Sequence, residues 1–281
     1  MRIVRFGEPG REQPGVLTSD GRLLDATPLV ADWTGEHLDP SSLTSVSESL
    51  DKLPLVDAEA VRLGPPIGRP GKIVCIGLNY ADHAAESGAT IPDEPVVFMK
   101  DPSTVVGPHD SVLVPRGSQK TDFEVELAVI VGRPIRYAAS ADEALACVAG
   151  YATSNDLSER EFQLERGGQW DKGKSCETFN PLGPWMVTAD EVPDPQALAL
   201  ELWVNGRNMQ SSTTAEMVFA VGEILRYLSQ FMVLRPGDLV NTGTPAGVAL
   251  GQPDLPYLRE GDILECSISG LGTQRAMVGQ A

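Results

Sequence analysis

Asp122-Phe123-Glu124-Val125-Glu126-Leu127-Ala128-Val129-Ile130-Val131 is the stretch on which the fold turns. Alternate residues of a strand share a face. Phe123, Val125, Leu127, Val129 and Val131 then form one apolar face, and Asp122, Glu124 and Glu126 line up on the other, which continues as Ala128 and Ile130. A solvated outer face is one reading of the acidic row. The other starts from repulsion, because no cation is interleaved among these acids. A divalent ion would resolve it, and carboxylate-only ligation suits a hard ion, Mg2+ or Mn2+, with waters completing an octahedron.

Strand signals extend in both directions. Arg2 to Phe6 alternates, Gly15-Val16-Leu17 and Arg22-Leu23-Leu24 resemble a hairpin pair, and Lys72 to Ile76 is an apolar strand. Leu198 to Met209 carries Asn205-Gly206 between apolar runs, a strong hairpin signal. Leu239 to Asn241 and Ile263 to Ile268 read as further strands. Helices are expected over Leu43 to Leu53, Ala141 to Ala149 and Thr213 to Phe231, the last with Met217, Val221, Ile224, Leu225 and Leu228 on one stripe. Strands dominate without regular βαβ alternation, which predicts a β-rich α+β fold. The Pro/Gly-rich run Gly64 to Gly71 reads as a linker, dividing a small N-terminal α+β unit (1–68) from a larger domain (69–281).

Composition narrows the function classes. The chain of 281 residues holds 22 Lys+Arg against 39 Asp+Glu, a formal charge of −17. That balance weighs against nucleic acid, whose nonspecific binding rests on neutralising phosphates. Gly (28) and Pro (22) together exceed the usual ~12 % share, which argues against a helical bundle. No window approaches the ~18 apolar residues of a membrane span, and MRIVRFGEPG holds no signal-peptide core. Cys75, Cys147, Cys176 and Cys266 are too widely spaced for a CxxC motif, so reduced thiols in a cytoplasmic protein are the expectation. With only His37, His83 and His109, a His-rich zinc site is disfavoured and any metal is held mostly by oxygen.

Other stretches carry candidate chemistry. Asp156, in Ser154-Asn155-Asp156-Leu157-Ser158, offers a third carboxylate, or else an N-cap for a helix over Leu157 to Glu165. Asn79 can cap a short helix ended by Gly88, placing His83 and Glu86 three apart on one face. A carboxylate that orients an imidazole makes a general base; an exposed pair is the plainer alternative. Glycines and prolines around this segment suggest a lid. Gly168 to Ser175 satisfies the P-loop pattern, yet it lacks the preceding buried strand that phosphate cradling needs. Lys174 stays of interest as a cation in a Gly-rich loop, able to stabilise developing negative charge. Asn241 to Val248 reads as a plain turn, or as a loop offering Thr hydroxyls and N–H groups to an anion.

Taken in order, GLNYADHAAE, FMKDPST, DFEVELAVIVG, SNDLSEREFQ, GQWDKGKS and NTGTPAGV resemble the fumarylacetoacetate hydrolase family over residues 72–281. The resemblance implies a mixed β-sheet roll or sandwich, a homodimer, and bound Mg2+ or Mn2+. It implies Glu124, Glu126 and Asp156 as metal ligands and His83–Glu86 as a water-activating dyad on a lid. Lys174 would assist the reacting carbonyl, and Arg160, Gln163 and Thr244 would hold the substrate. The N-terminal unit and ERGGQWDKGK resemble the bacterial branch acting on 2,4-diketo-3-deoxy sugar acids, whose sequences are often labelled ureidoglycolate lyase. Many members read GRNY where this chain has Leu78, so an Arg contact expected there is missing. The implied activity is hydrolytic C–C cleavage of a small anionic β-diketo acid to pyruvate and a carboxylic acid. Oxaloacetate decarboxylation or keto–enol isomerisation on the same site is one alternative; a non-catalytic nucleotide-binding or regulatory protein is another.

Overall fold

The computed structural model describes residues 1–86, 90–250, 252 and 256–281, and it is a strand-rich α+β fold. The expected helix end at Gly88 lies outside the described residues. The opening stretch is extended, with a strand at Val125–Val131 and a short separate pairing at Thr121–Asp122. Val125–Val131 runs antiparallel between Val148–Asn155 and Leu239–Asn241. Leu239–Asn241 pairs in parallel with Ile73–Gly77, which pairs antiparallel with Val96–Lys100 at the sheet's edge. On the other flank Met186–Thr188 joins Val148–Asn155 to Arg2–Phe6, and Gln13–Leu17 and Leu23–Asp25 follow. The strands of residues 1–68 therefore continue the same sheet, which has 11 strands among the described residues.

A second, five-stranded sheet contains the predicted hairpin, Ala199–Val204 with Arg207–Thr213, and the strands Ile263–Ile268, Gly272–Gln280 and Val112–Val114. Asn205 and Gly206 both take positive φ, 52° and 77°, as a two-residue type I′ turn requires. Phe123, Val125, Leu127, Val129 and Val131 pack in one cluster with Leu200, Leu202 and Leu264 of this sheet and with Ile224, Leu225 and Leu228 of the helix Val221–Leu228. Ala128 and Ile130 pack on the opposite face with Trp33, Leu38, Leu43 and Val46. The alternation therefore holds, but both faces are covered, and the acidic row is not a solvated face.

Three helix expectations shorten. The Thr213–Phe231 helix is confined to Val221–Leu228, after a separate 3-10 turn at Thr214–Glu216, because the Asn79 carbonyl and side chain take the Val218 and Phe219 N–H groups and keep the chain between them out of the helix. Ala141–Leu145 ends early because the chain enters the sheet at Val148. The first starts instead at Pro40 and ends at Ser47, with the Asp39 side chain accepting from Ser41 N–H at its N-terminus. No helix spans Leu157 to Glu165. Ser158–Glu159 pairs with Thr121–Asp122, and only Glu161–Glu165 turns, as a single π-type turn.

Candidate active site

Strand pairing assembles the acids. Val125 lies opposite Asn155, and past that pair the chain ends are knitted by Glu124 N–H to Asn155 Oδ1 (3.0 Å) and Asp156 N–H to Glu124 O (2.9 Å). This sets Asp156 beside Glu124, and Glu126 follows two residues on along the same face. Ligand oxygens from Glu124, Glu126 and Asp156 lie within 4.8 Å of one another, all from buried residues. Asp156 caps no helix; its carboxylate faces two lysines instead.

Cations reach this cluster from three directions. Lys174, on the short helix Asp171–Lys174, donates to Glu124 Oε2 (2.6 Å) and Asp156 Oδ2 (2.8 Å). Lys100, ending the edge strand, pairs with Asp156 Oδ1 and donates to the Phe179 carbonyl (2.6 Å). Arg160 bridges Asp122 (2.8 Å) and Glu124 (2.6 Å), and its Nη1 donates to Gln163 Oε1 (3.0 Å). Four carboxylates thus meet three cations. Glu126 is the acid without an ion-pair partner among the described residues; its Oε2 accepts from Gly243 N–H (2.8 Å).

The electrostatics follow this uneven pairing. Burial raises the Glu124 carboxyl, but Lys174 and Arg160 outweigh it and hold the group down at about 2. For Glu126, burial and then the Asp156 and Glu124 charges all push upward, well above the ordinary carboxylate range. Three clustered buried carboxylates, one of them without an ion-pair partner among the described residues, are the donor set a hard divalent ion fits, so the residues present suit Mg2+ or Mn2+. Lys174 is raised, since its acidic neighbours overcome burial.

His83, on the helix Ala81–Glu86, is 7 % exposed and lines the same cavity as Glu124 and Glu126. Burial lowers its pKa, with Glu124 opposing. Its Nδ1 stands 3.9 Å from Glu86 Oε2. Glu86 has a second task, accepting from Gly247 N–H (2.9 Å) and from the Gln252 amide, which clips the helix to the Asn241–Val248 loop. In that loop Gly243 takes φ +99°, and a Cβ there would stand 2.7 Å from Asn79 Cβ. Glycine therefore permits the approach that aims its N–H at Glu126.

The cavity between these groups measures about 220 Å3. All but Asp156 and Glu86 of the residues singled out from the sequence line it: His83, Glu124, Glu126, Lys174, Arg160, Gln163 and Thr244. Arg160 donates to Asp122, Glu124 and Gln163, and the Thr244 hydroxyl donates to Val125 O (2.9 Å) and accepts from Gln210 (2.8 Å). Both are thus bound into the scaffold as well as lining the cavity. The P-loop-like run turns its lysine onto the carboxylates: Lys174 faces the acids, and Gly173 is needed because a Cβ would sit 2.5 Å from Glu159 O.

Sequence reasoning missed Lys100 and Gln210. Lys100 was visible as a lone charge closing the apolar run Val96 to Met99, and it is 2 % exposed in the fold. Gln210 lies on a hairpin strand, and nothing in the sequence marks it. Removing one partner of a buried ion pair strands the other charge. Lys100→Met is therefore expected to lose about 3–5 kcal/mol of metal-free stability, read from the urea midpoint. A shift under about 1 kcal/mol would show that Asp156 does not depend on it.

Comparison with known proteins shows the family. The family description "Fumarylacetoacetate (FAA) hydrolase C-terminal" matches residues 72–279, and the chain belongs to this family. A Burkholderia multivorans protein named only as a hydrolase is 51 % identical over 279 residues, covering 98 % of this chain and 97 % of that one. Among solved structures, fumarylacetoacetate hydrolase from Exiguobacterium antarcticum superposes with TM-score 0.84 at 35 % identity, covering both chains fully. Maleylpyruvate hydrolase from Sphingobium sp. SYK-6, in complex with manganese(II) and pyruvate, gives 0.82 at 30 % identity, again over the whole of both chains. A Mycobacterium smegmatis 5-carboxymethyl-2-hydroxymuconate delta-isomerase gives 0.79 at 31 %, covering all of this chain and 99 % of that one. The family thus includes hydrolases and isomerases of acylpyruvate-like acids.

Proposed function

We propose that this protein hydrolyses a C–C bond in an acylpyruvate, releasing pyruvate and a carboxylic acid, with Glu124, Glu126 and Asp156 holding Mg2+ or Mn2+. The observation that carries the reading is the clustering of three buried carboxylates, one of them without an ion-pair partner among the described residues, beside a cavity that Glu124, Glu126 and the buried His83 line together. The likeness to a hydrolase that holds manganese(II) and pyruvate supports it. The sugar-acid substrate implied by the N-terminal unit and ERGGQWDKGK is one competing form of this proposal, and an acylpyruvate with an alkyl tail is the other.

When bound, the ion supplies Lewis-acid charge against the 2-oxo acid end, which makes a carbanion at pyruvate C3 a tolerable leaving group. The rest falls to the chain. His83 takes a proton from water, and the oxygen attacks the acyl carbonyl carbon. The bond from that carbon to pyruvate C3 breaks, its electron pair passing to C3, which a proton then converts to pyruvate's methyl group. Glu86 positions His83 through its grip on Gly247 and Gln252. Lys174 donates to Glu124 and Asp156, and stabilising the attacked oxygen as well would require it to release one of those bonds.

The test is pyruvate release, followed by a coupled assay over a panel of acylpyruvates and diketo-deoxy acids, with Mn2+ and with chelator. Metal-dependent pyruvate formation is expected. Turnover of enol–keto tautomers with no pyruvate would overturn the hydrolase reading in favour of isomerisation, which the likeness to the delta-isomerase favours.

A further inference from the structure

The cavity is lined by groups of two unlike kinds. Beside Glu124, Glu126 and His83 stand Leu78, Phe98, Leu164, Trp170 and Leu250. Among the described residues only two Lys or Arg side chains line it, Lys174 and Arg160. Each is committed to carboxylates of the protein, Lys174 to Glu124 and Asp156, Arg160 to Asp122 and Glu124. The neutral donors are few. Thr244 has given its one hydroxyl hydrogen to Val125 O, and Gln163 uses its carbonyl on Arg160, so its amide N–H2 is what it can offer.

Leu78 adds an independent sign. Its φ of +55° lies in the left-handed region, which a leucine occupies at a cost and a glycine would not. The next residue, Asn79, holds the segment there by donating to Phe219 O (3.1 Å) and Thr242 O (2.7 Å). The fold thus spends strain at a leucine that is part of the cavity lining.

We infer that the acyl half of the substrate is a short, uncharged hydrocarbon group, so that the enzyme takes monoanionic alkyl acylpyruvates in preference to dicarboxylic ones. The inference rests on the acylpyruvate reading for its head group. A carboxylate at the tail loses its water against leucine and tryptophan and meets no uncommitted cation among the described residues. A polyhydroxylated tail also finds too few partners, whereas an alkyl tail exchanges water for apolar contact.

Two 2-oxo acids of equal chain length isolate the tail from the reaction. The Mn2+-loaded protein is titrated by calorimetry with 2-oxopentanoate and with 2-oxoglutarate, which share a head and differ in a terminal methyl against a carboxylate. The expected result is at least 30-fold tighter binding of 2-oxopentanoate. Leu164→Arg, at a wall position that is 43 % exposed and so tolerant of charge, is expected to cut that ratio at least tenfold. Equal affinities, preference for 2-oxoglutarate or no binding of either overturns the inference. In the pyruvate assay, preference for a carboxylated or hydroxylated tail overturns it too. A binding preference that persists while no acylpyruvate is cleaved leaves the inference standing and overturns the hydrolase reading alone.

Discussion

Replacing Glu126 by Gln is expected to weaken Mn2+ binding by about 100-fold or more, beyond the 10–100-fold cost of losing a mere supporting partner. The metal-free protein should be as stable as before. Both results come from the same electrostatics. Without an ion, Glu126 is a buried acid pushed up by Asp156 and Glu124, so it keeps its proton, and Gln preserves its shape and its bond from Gly243 N–H. With an ion, the lost anion is a lost ligand. Mn2+ at 100 times its wild-type Kd should stabilise the wild type by about 2.7 kcal/mol and the variant hardly at all. Because the ion displaces the Glu126 proton, binding should release a proton and tighten as pH rises, and the variant should lose that release. Calorimetry in buffers of different ionisation enthalpy reads both quantities, and an unchanged Mn2+ affinity would remove Glu126 from the ligand set.

His83→Ala separates hydrolysis from the chemistry that needs no water. Loss of a general base costs about 10²–10⁴ in rate. The variant is expected to lose that much of kcat in pyruvate release while binding Mn2+ within about threefold of wild type, a tolerance near 0.6 kcal/mol. A variant with full hydrolytic activity would sink the mechanism. The pH profile checks the same residue. Burial disfavours the charged imidazole more than Glu124 and Glu86 favour it, so the folded pKa stands below the ordinary 6.5. The neutral, base-competent form then persists to lower pH. The acid limb of kcat/KM should have its midpoint below 6.5, and a limb above that value would contradict a buried His83 as base. The same shift has a stability consequence with a definite sign. A histidine whose folded pKa is depressed binds its proton more readily when unfolded, so stability falls as pH drops from about 6.5 through the folded value.

Much of this site was legible along the chain. Glu124 and Glu126 share a face because strands have a period of two, and His83 and Glu86 share one because helices bring i and i+3 together. The Asn205-Gly206 turn followed from the need for two positive φ angles. Where local reading failed, a distant partner had intervened. The stripe from Met217 continues a helical period, yet Asn79, 140 residues away, takes the Phe219 N–H and keeps that approach out of the helix. Asp156 looked equally like a helix cap, and only Lys100 and Lys174 tell otherwise.

By itself, then, the sequence determined the strand and its alternation, the hairpin, the order of the acid- and histidine-bearing stretches, and an oxygen-rich donor set. Tertiary structure alone decided that this face is buried: Trp33, Leu38, Leu43 and Val46, from a part of the chain about ninety residues earlier, pack on Ala128 and Ile130, and Arg160 and Lys174 close over the acids. It also decided how the acids are shared among cations: Lys174 arrives at Glu124 across 50 residues and Lys100 at Asp156 across 56, leaving Glu126 without an ion-pair partner among the described residues. Periodicity is set by backbone geometry within a few residues and can be read locally. Burial and charge pairing depend on which distant segments meet, and those two quantities shift a pKa and prepare a site for a cation.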